Sequence, residues 1–341
     1  MKAVIQNRYG PANQVLSVRE IAKPDIKDNE VLVKVRAASM HADVWHVIVG
    51  VPYILRLFGN GVRKPKQLIP GTDLAGVVES VGKLVTRFRI GDEVFGESAK
   101  FGWANGGAYA EFAAVPEEYL ALKPKNSTFE QAAAIPTTGT IALNNVRSSS
   151  KVGQNVVING AGGAMGTLAI QIAKAQGARV TAVDNAEKLA MMKSLGADRV
   201  IDYMRENYLE GKERYDLIVD VASVLPRKRY QHCLTPTGRY VPIGHAHYGK
   251  AERFSGRVFG SMPYFIGYLI VLLLNPRTRK EIKFRSKLEI LNDLKAFIES
   301  GKLMPVIAKT YSLEEVPAAV SDMTSGKMLG RMIIKMDSRD A

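Results

Sequence analysis

The chain has 341 residues, 46% of them apolar and 23% charged, with 47 Lys and Arg against 33 Asp and Glu and a single cysteine. That length supports two domains with proper cores, and the near-average composition excludes disordered, collagen-like and fibrous chains. Cys233 alone excludes an intrachain disulfide and any structural zinc site built from several thiolates.

The formal net charge of +14 could serve nucleic acid, anionic lipid or a phosphorylated cofactor. The basic residues mostly alternate with acids, which describes a dispersed, solvated surface instead. No zinc-finger spacing, aromatic stacking motif or arginine-rich tail occurs, so no specific nucleic-acid partner is expected. Residues 1–8 reach charge and polarity too early for the apolar region of a signal peptide, and a cytoplasmic protein is expected.

The first third reads as β. Residues 31–36 alternate apolar and polar with period two, and 74–81 and 93–95 are short apolar runs between Gly71, Gly82, Gly91 and Gly96. Such short, glycine-punctuated strands predict a small, strongly bent β domain. Ser127 and Glu130 have the spacing of a capping box opening a helix over 131–146. Strands are then predicted at 155–159, 179–183, 199–202, 216–221 and 238–243, with helices at 167–176 and 187–195. This alternation implies crossover units and a parallel sheet with helices on both faces.

Between Arg257 and Arg277 lie 19 uncharged residues. Pro263 suits the first turn of a helix and Asn275-Pro276 ends it, leaving 263–274 helical, roughly 18 Å against a ~30 Å hydrocarbon core. The segment cannot span a membrane unaided. A helix buried between lobes or at a dimer seam fits best; a peripheral membrane contact through 258–287 is the alternative, given Arg277, Arg279, Lys280, Lys283, Arg285 and Lys287.

The most informative stretch is Val156-Val157-Ile158-Asn159-Gly160-Ala161-Gly162-Gly163-Ala164-Met165-Gly166. A buried strand runs into a glycine turn and a helix opens at its end, where free N–H groups and the helix dipole favour a pyrophosphate. Asp184 closes the next strand 24 positions after Gly160, where a carboxylate accepts hydrogen bonds from adenosine ribose hydroxyls. This favours NADH. Lys188 and Tyr203 could neutralise a 2′-phosphate and so admit NADPH.

The motifs together make a family pattern. They run from Gly71-Thr72-Asp73-Leu74-Ala75-Gly76 through Gly91-Asp92-Glu93-Val94, Gly107-Ala108-Tyr109-Ala110-Glu111-Phe112 and Pro136-Thr137-Thr138-Gly139-Thr140. After the glycine turn come Leu195-Gly196-Ala197-Asp198 and Gly330-Arg331-Met332-Ile333-Ile334. Over nearly its whole length the chain resembles the medium-chain dehydrogenase/reductase superfamily, in its zinc-free quinone-oxidoreductase-like branch. The resemblance implies an α/β fold: a GroES-like catalytic domain at 1–125, completed by 277–341, and a Rossmann domain with a doubly wound parallel sheet at 126–276. It also implies a homodimer through the Rossmann sheet edge.

Zinc-bearing relatives carry Gly-His-Glu where this chain has Gly71-Thr72-Asp73, their first cysteine ligand falls at His41, and their third-ligand cysteine at about Ala134. Thr72 and Ala134 cannot replace such ligands, so no zinc is expected. Without a Lewis acid, hydride transfer suits acceptors that delocalise the incoming charge, namely quinones and α,β-unsaturated carbonyls. An alcohol or aldehyde dehydrogenase, or a nucleotide sensor without turnover, are the alternatives. By resemblance His41 lies beside the nicotinamide, where zinc-free relatives often have asparagine, and His46 falls where some place a tyrosine. Either ring could donate to a developing oxyanion. Tyr53 is a further pocket candidate, and the apolar residues of 47–66 are expected to line or cover an apolar pocket. For the cofactor, the turn residues Gly160, Gly163, Ala164, Met165 and Gly166 are joined by Thr138 at a helix start and by Ile243, Gly244 and His245 at a strand end. Arg331 matches a family lysine, with a charge that suits phosphate.

Overall fold

Period-two alternation at 31–36 forms the middle of an eleven-residue strand, Glu30–Met40, on which the N-terminal sheet is built. The computed structural model describes residues 1–57, 61–99, 104–147, 152–223, 225, 228–244, 258–260, 262–263, 266–267, 270 and 285–336. A two-stranded ribbon opens the chain, β1 (Lys2–Gln6) against β2 (Leu16–Glu20), followed by β3 (Glu30–Met40), β4 (Asp73–Val81), β5 (Glu93–Glu97), β6 (Phe112–Pro116) and β7 (Leu120–Leu122). Two strands near the C-terminus, β13 (Ile307–Tyr311) and β14 (Arg331–Lys335), return to this region. The resulting seven-stranded sheet has the order β13-β14-β3-β4-β5-β7, with β6 also paired to β3. β14 lies antiparallel to β3 with Met332 opposite Met40, which sets Arg331 beside the exit of β3.

The second sheet is parallel and five-stranded. Its strands are β8 (Asn155–Asn159), β9 (Arg179–Asp184), β10 (Arg199–Asp202), β11 (Tyr215–Asp220) and β12 (Leu234–Pro242), in the order β10-β9-β8-β11-β12. The order reverses at β8, whose neighbours are β9 and β11, so the carboxyl ends of these strands frame the crevice where doubly wound sheets bind ligands. Val156, Val157 and Ile158 are fully buried, as a strand covered on both faces requires.

The α-helices with described bounds are, in chain order, α1 (Ala12–Val15), α2 (Ala42–Val49), α3 (Phe129–Ala133), α4 (Pro136–Ala142), α5 (Ala164–Ala175), α6 (Leu189–Ser194), α7 (Lys228–Gln231), α8 (Lys287–Glu299) and α9 (Val316–Thr324). α5 buries Leu168, Ala169, Ile172 and Ala173. These join Ile290, Leu291, Leu294 and Ile298 of α8 in a core that also takes in Ala37, Ala75 and Phe95 of the N-terminal sheet. The two sheets therefore share packing across the crevice.

Two local expectations are corrected. The capping box is Thr128 with Gln131, whose side chain and backbone exchange hydrogen bonds, while Ser127 donates to the Pro124 carbonyl. The predicted helix over 131–146 is also broken. α3 ends at Ala133 and α4 restarts with Pro136 at its first turn, since proline lacks the N–H that a continuous helix would need there. The helix predicted at 263–274 falls largely outside the described residues. Among the described residues no helix is long and apolar enough to cross a membrane.

Candidate active site

A cleft of about 440 Å³ lies between the two sheets. One end is built from backbone. Gly160, with φ +82°, turns the chain so that the N–H groups of Gly160 and Ala161 both reach the Val183 carbonyl, at 2.9 and 3.0 Å. Gly166 lets α5 close on this turn; a Cβ there would stand 2.4 Å from the Gly160 carbonyl oxygen. Gly163 is the N-cap of α5 and offers no side chain to cap it, so the first N–H groups of the helix, over Ala164 and Met165, can serve an anion. Of these, Gly160, Gly163, Ala164 and Met165 line the cleft. The N-terminal sheet closes over the turn, with the Gly330 N–H donating to the Gly162 carbonyl at 3.1 Å.

Asp184 ends β9 at this turn. Its Oδ2 accepts from the Gly162 N–H and its Oδ1 from the Asn185 N–H, both at 2.9 Å. Lys188 Nζ lies 3.3 Å from Oδ1 and also donates to the Gly326 carbonyl. Both side chains are buried and both line the cleft. A second chamber of about 490 Å³ shares Gly160, Asp184 and Ala222 with the cleft and extends past the exposed Tyr203 to Tyr208 and Tyr230. Two chambers joined at the glycine turn suit a dinucleotide. The exposed N–H groups and the buried carboxylate fit the group the fold implies.

The other end is built from side chains on five elements, β3, β4, β14, α2 and α4. His41 is the N-cap of α2, and its Nε2 lies 2.7 Å from Thr72 Oγ1. Its Nδ1 is buried without a hydrogen bond, 3.8 Å from Asp43 Oδ2. Burial pushes its pKa below the ordinary histidine range, against the pull of Asp73 and Asp43 and with the help of Arg331. One turn on, His46 Nδ1 donates to the Val51 carbonyl at 2.7 Å, so Nδ1 carries the proton and Nε2 is the acceptor of the neutral ring. Burial lowers this pKa also. In the neutral ring that arrangement leaves His46 no N–H to donate into the cleft.

Beneath His41 sits an ion pair that sequence reading missed. Asp73 is fully buried at the start of β4 and accepts from Arg331 Nη2 at 2.8 Å, Thr137 Oγ1 at 2.5 Å, and Ser39 Oγ and the Thr137 N–H, each at 3.2 Å. Arg331 Nε donates to Ser39 as well. The charge expected to suit a phosphate is thus matched by a carboxylate. The one available signal was that Asp73 and Arg331 are both charges inside apolar strand patterns.

Thr138, Ile243 and Gly244 line the cleft between its two ends, and Thr138 Oγ1 donates to the Ala134 carbonyl. His245 lies outside the described residues. Tyr53 is not on the cleft wall: it is partly exposed, with the Arg56 guanidinium 4.5 Å over its ring. The expected apolar lining from 47–66 is also absent from that wall, because Val47 and Ile48 turn into the interior and Leu57 faces solvent; Phe58 lies outside the described residues.

The zinc of related dehydrogenases does not fit here. Thr72 presents a hydroxyl already engaged with His41, and Ala134 a buried methyl. Among the described residues no group of three or more His, Cys, Asp or Glu side chains could hold a metal ion.

Residues 27–125 match the family described as alcohol dehydrogenase GroES-like domain, and residues 195–334 the family described as zinc-binding dehydrogenase. The chain is 31% identical to a 2-methylene-furan-3-one reductase of Solanum lycopersicum, across 98% of this chain and 79% of that protein. It is 32% identical to a chloroplastic NADPH-dependent alkenal/one oxidoreductase of Arabidopsis thaliana, with the same coverage. The structure of the quinone oxidoreductase from Coxiella burnetii superposes with a TM-score of 0.81, at 25% identity, across 99% of each chain. The chain belongs to the medium-chain dehydrogenase/reductase superfamily, in its quinone-oxidoreductase-like branch.

Proposed function

We propose that the protein is a zinc-independent NAD(P)H-dependent reductase of quinones or α,β-unsaturated carbonyls, working with NADH in preference to NADPH. The observation that carries this reading is the single cleft that joins a glycine turn and a buried carboxylate at one end to His41, with an unpartnered Nδ1, at the other. Bound NAD(P)H would supply the hydride. The chain's own groups position the acceptor, exclude water and offer a proton at His41. Hydride transfer to a conjugated acceptor needs little more, because the acceptor spreads the charge itself.

The lean to NADH rests on Asp184. A 2′-phosphate beside it would meet a repulsion of roughly 4 kcal/mol per charge pair at 4 Å and an effective dielectric of ~20. Lys188 offsets part of this, since it already pairs with Asp184. Relatives point to the same chemistry by name, one as NADPH-dependent. A homodimer through the Rossmann sheet edge and a cytoplasmic setting complete the proposal. The test is an acceptor screen with NADH and NADPH in parallel, chelator present. Turnover of a quinone or enone supports the reading, and chelator-sensitive alcohol oxidation overturns it.

A further inference from the structure

His41 is held from one side only. Its Nε2 is fixed by Thr72, while Nδ1 is buried with no hydrogen-bond partner, in a residue that forms part of the cleft wall. The group nearest it on that side is the Asp43 carboxylate, 3.8 Å away in the first turn of α2 and also on the cleft wall. Among the described residues Asp43 makes no other ion pair. The charged groups facing His41 from other elements are Asp73 on β4 and Arg331 on β14, which pair at 2.8 Å. His46, on the same helix as Asp43, feels that carboxylate too. Asp73 and Asp43 both favour the protonated ring against burial and Arg331, and among the described residues Asp43 alone forms an ion pair with Nδ1.

We propose that Asp43 is a positioning residue of the reduction: it holds a proton on His41 Nδ1, at the cleft wall, for delivery to the acceptor as hydride arrives. This rests on the reductase reading above. For an enone the balance is simple. The acceptor gains two electrons with the hydride at its β-carbon, and its π pair moves onto oxygen. The imidazolium, its Nε2–H held by Thr72, gives the Nδ1 proton to the α-carbon; the enolate C=C pair makes the new C–H bond and the pair on oxygen restores the C=O bond. The imidazole is left neutral and regains a proton from water at the cleft mouth, and the cofactor departs oxidised. A half-exposed Asp43 beside a buried histidine suits that resupply, since it bridges water and ring.

The experiment compares Asp43→Asn and Asp43→Glu with the wild type, using NADH and 3-penten-2-one over pH 5–9. An opposite charge at this distance shifts a titration by about one unit or more. The alkaline fall of kcat should therefore move down by about one pH unit in D43N, with KM for NADH unchanged, and D43E should restore it. Superimposable profiles, or a change confined to KM, overturn the proposal. If the wild type turns over no acceptor, the reductase reading fails on its own account. The pair is then judged by the His41 ring-proton resonance: a titration midpoint lowered by about one unit in D43N supports the coupling, and an unmoved one overturns it.

Discussion

The two ends of the cleft are made in opposite ways. At the glycine turn the groups come from one short stretch of chain, Gly160 to Lys188, and the recognition surface is largely backbone. At the histidine end, His41, Thr72, Thr137 and Arg331 arrive from distant parts of the sequence and meet through side chains. A backbone site survives most side-chain changes but not a misplaced Cβ. A side-chain site fails when one buried charge loses its partner.

The largest effect should come from breaking the buried pair. Asp73→Ala leaves Arg331 uncompensated inside the fold and should cost about 3–5 kcal/mol, read by denaturant unfolding. Removing the partly exposed Lys174–Asp198 pair should cost less than about 1 kcal/mol by the same assay. Comparable losses from the two would mean that the buried pair is not what holds the histidine end.

At the turn, Gly166→Ala forces a methyl against the Gly160 carbonyl and the Ala161 Cα, backbone atoms that cannot yield cheaply. It should destabilise by about 1–3 kcal/mol and weaken nucleotide binding in a fluorescence titration. Asp184→Ser should raise the NADPH to NADH ratio of kcat/KM by about 10- to 100-fold, or about 1.4–2.8 kcal/mol, because it removes the carboxylate and leaves Lys188 for a phosphate. An unchanged ratio would take Asp184 away from the ribose.

A smaller effect separates the ends by pH. Burial lowers the titrations of His41 and His46, so below about pH 6.5 the unfolded chain binds more protons than the native one. Their contribution is present above that pH and is lost as pH falls through the lowered native values. Glu97, pushed up to about 7 mainly by burial, has the opposite slope between its ordinary range and neutrality. Replacing both histidines by asparagine should therefore flatten the fall in stability as pH drops below about 6.5. Melting curves of variant and wild type that keep a constant separation across that range would contradict it.

The same contrast explains what was legible in the sequence. The turn residues, Asp184 and the strands at 155–159 and 199–202 could be read because strand, glycines and acid sit in one local pattern. The Asp73–Arg331 pair could not, since it depends on β14 returning to lie beside β3. Tyr53 misled for a related reason: an aromatic near a candidate histidine in sequence need not face the same cavity, and here it stacks on Arg56. The Thr128–Gln131 capping box was displaced by one residue because Ser127 finds the Pro124 carbonyl instead.

In the proposed reaction hydride reaches a conjugated carbon without a metal. This is tested most directly with NADH carrying deuterium at both C4 positions, incubated with the protein, 3-penten-2-one and a chelator, and the product examined by NMR. The account predicts deuterium at the β-carbon of the saturated ketone. Deuterium at the carbinol carbon, with the double bond intact, would contradict it.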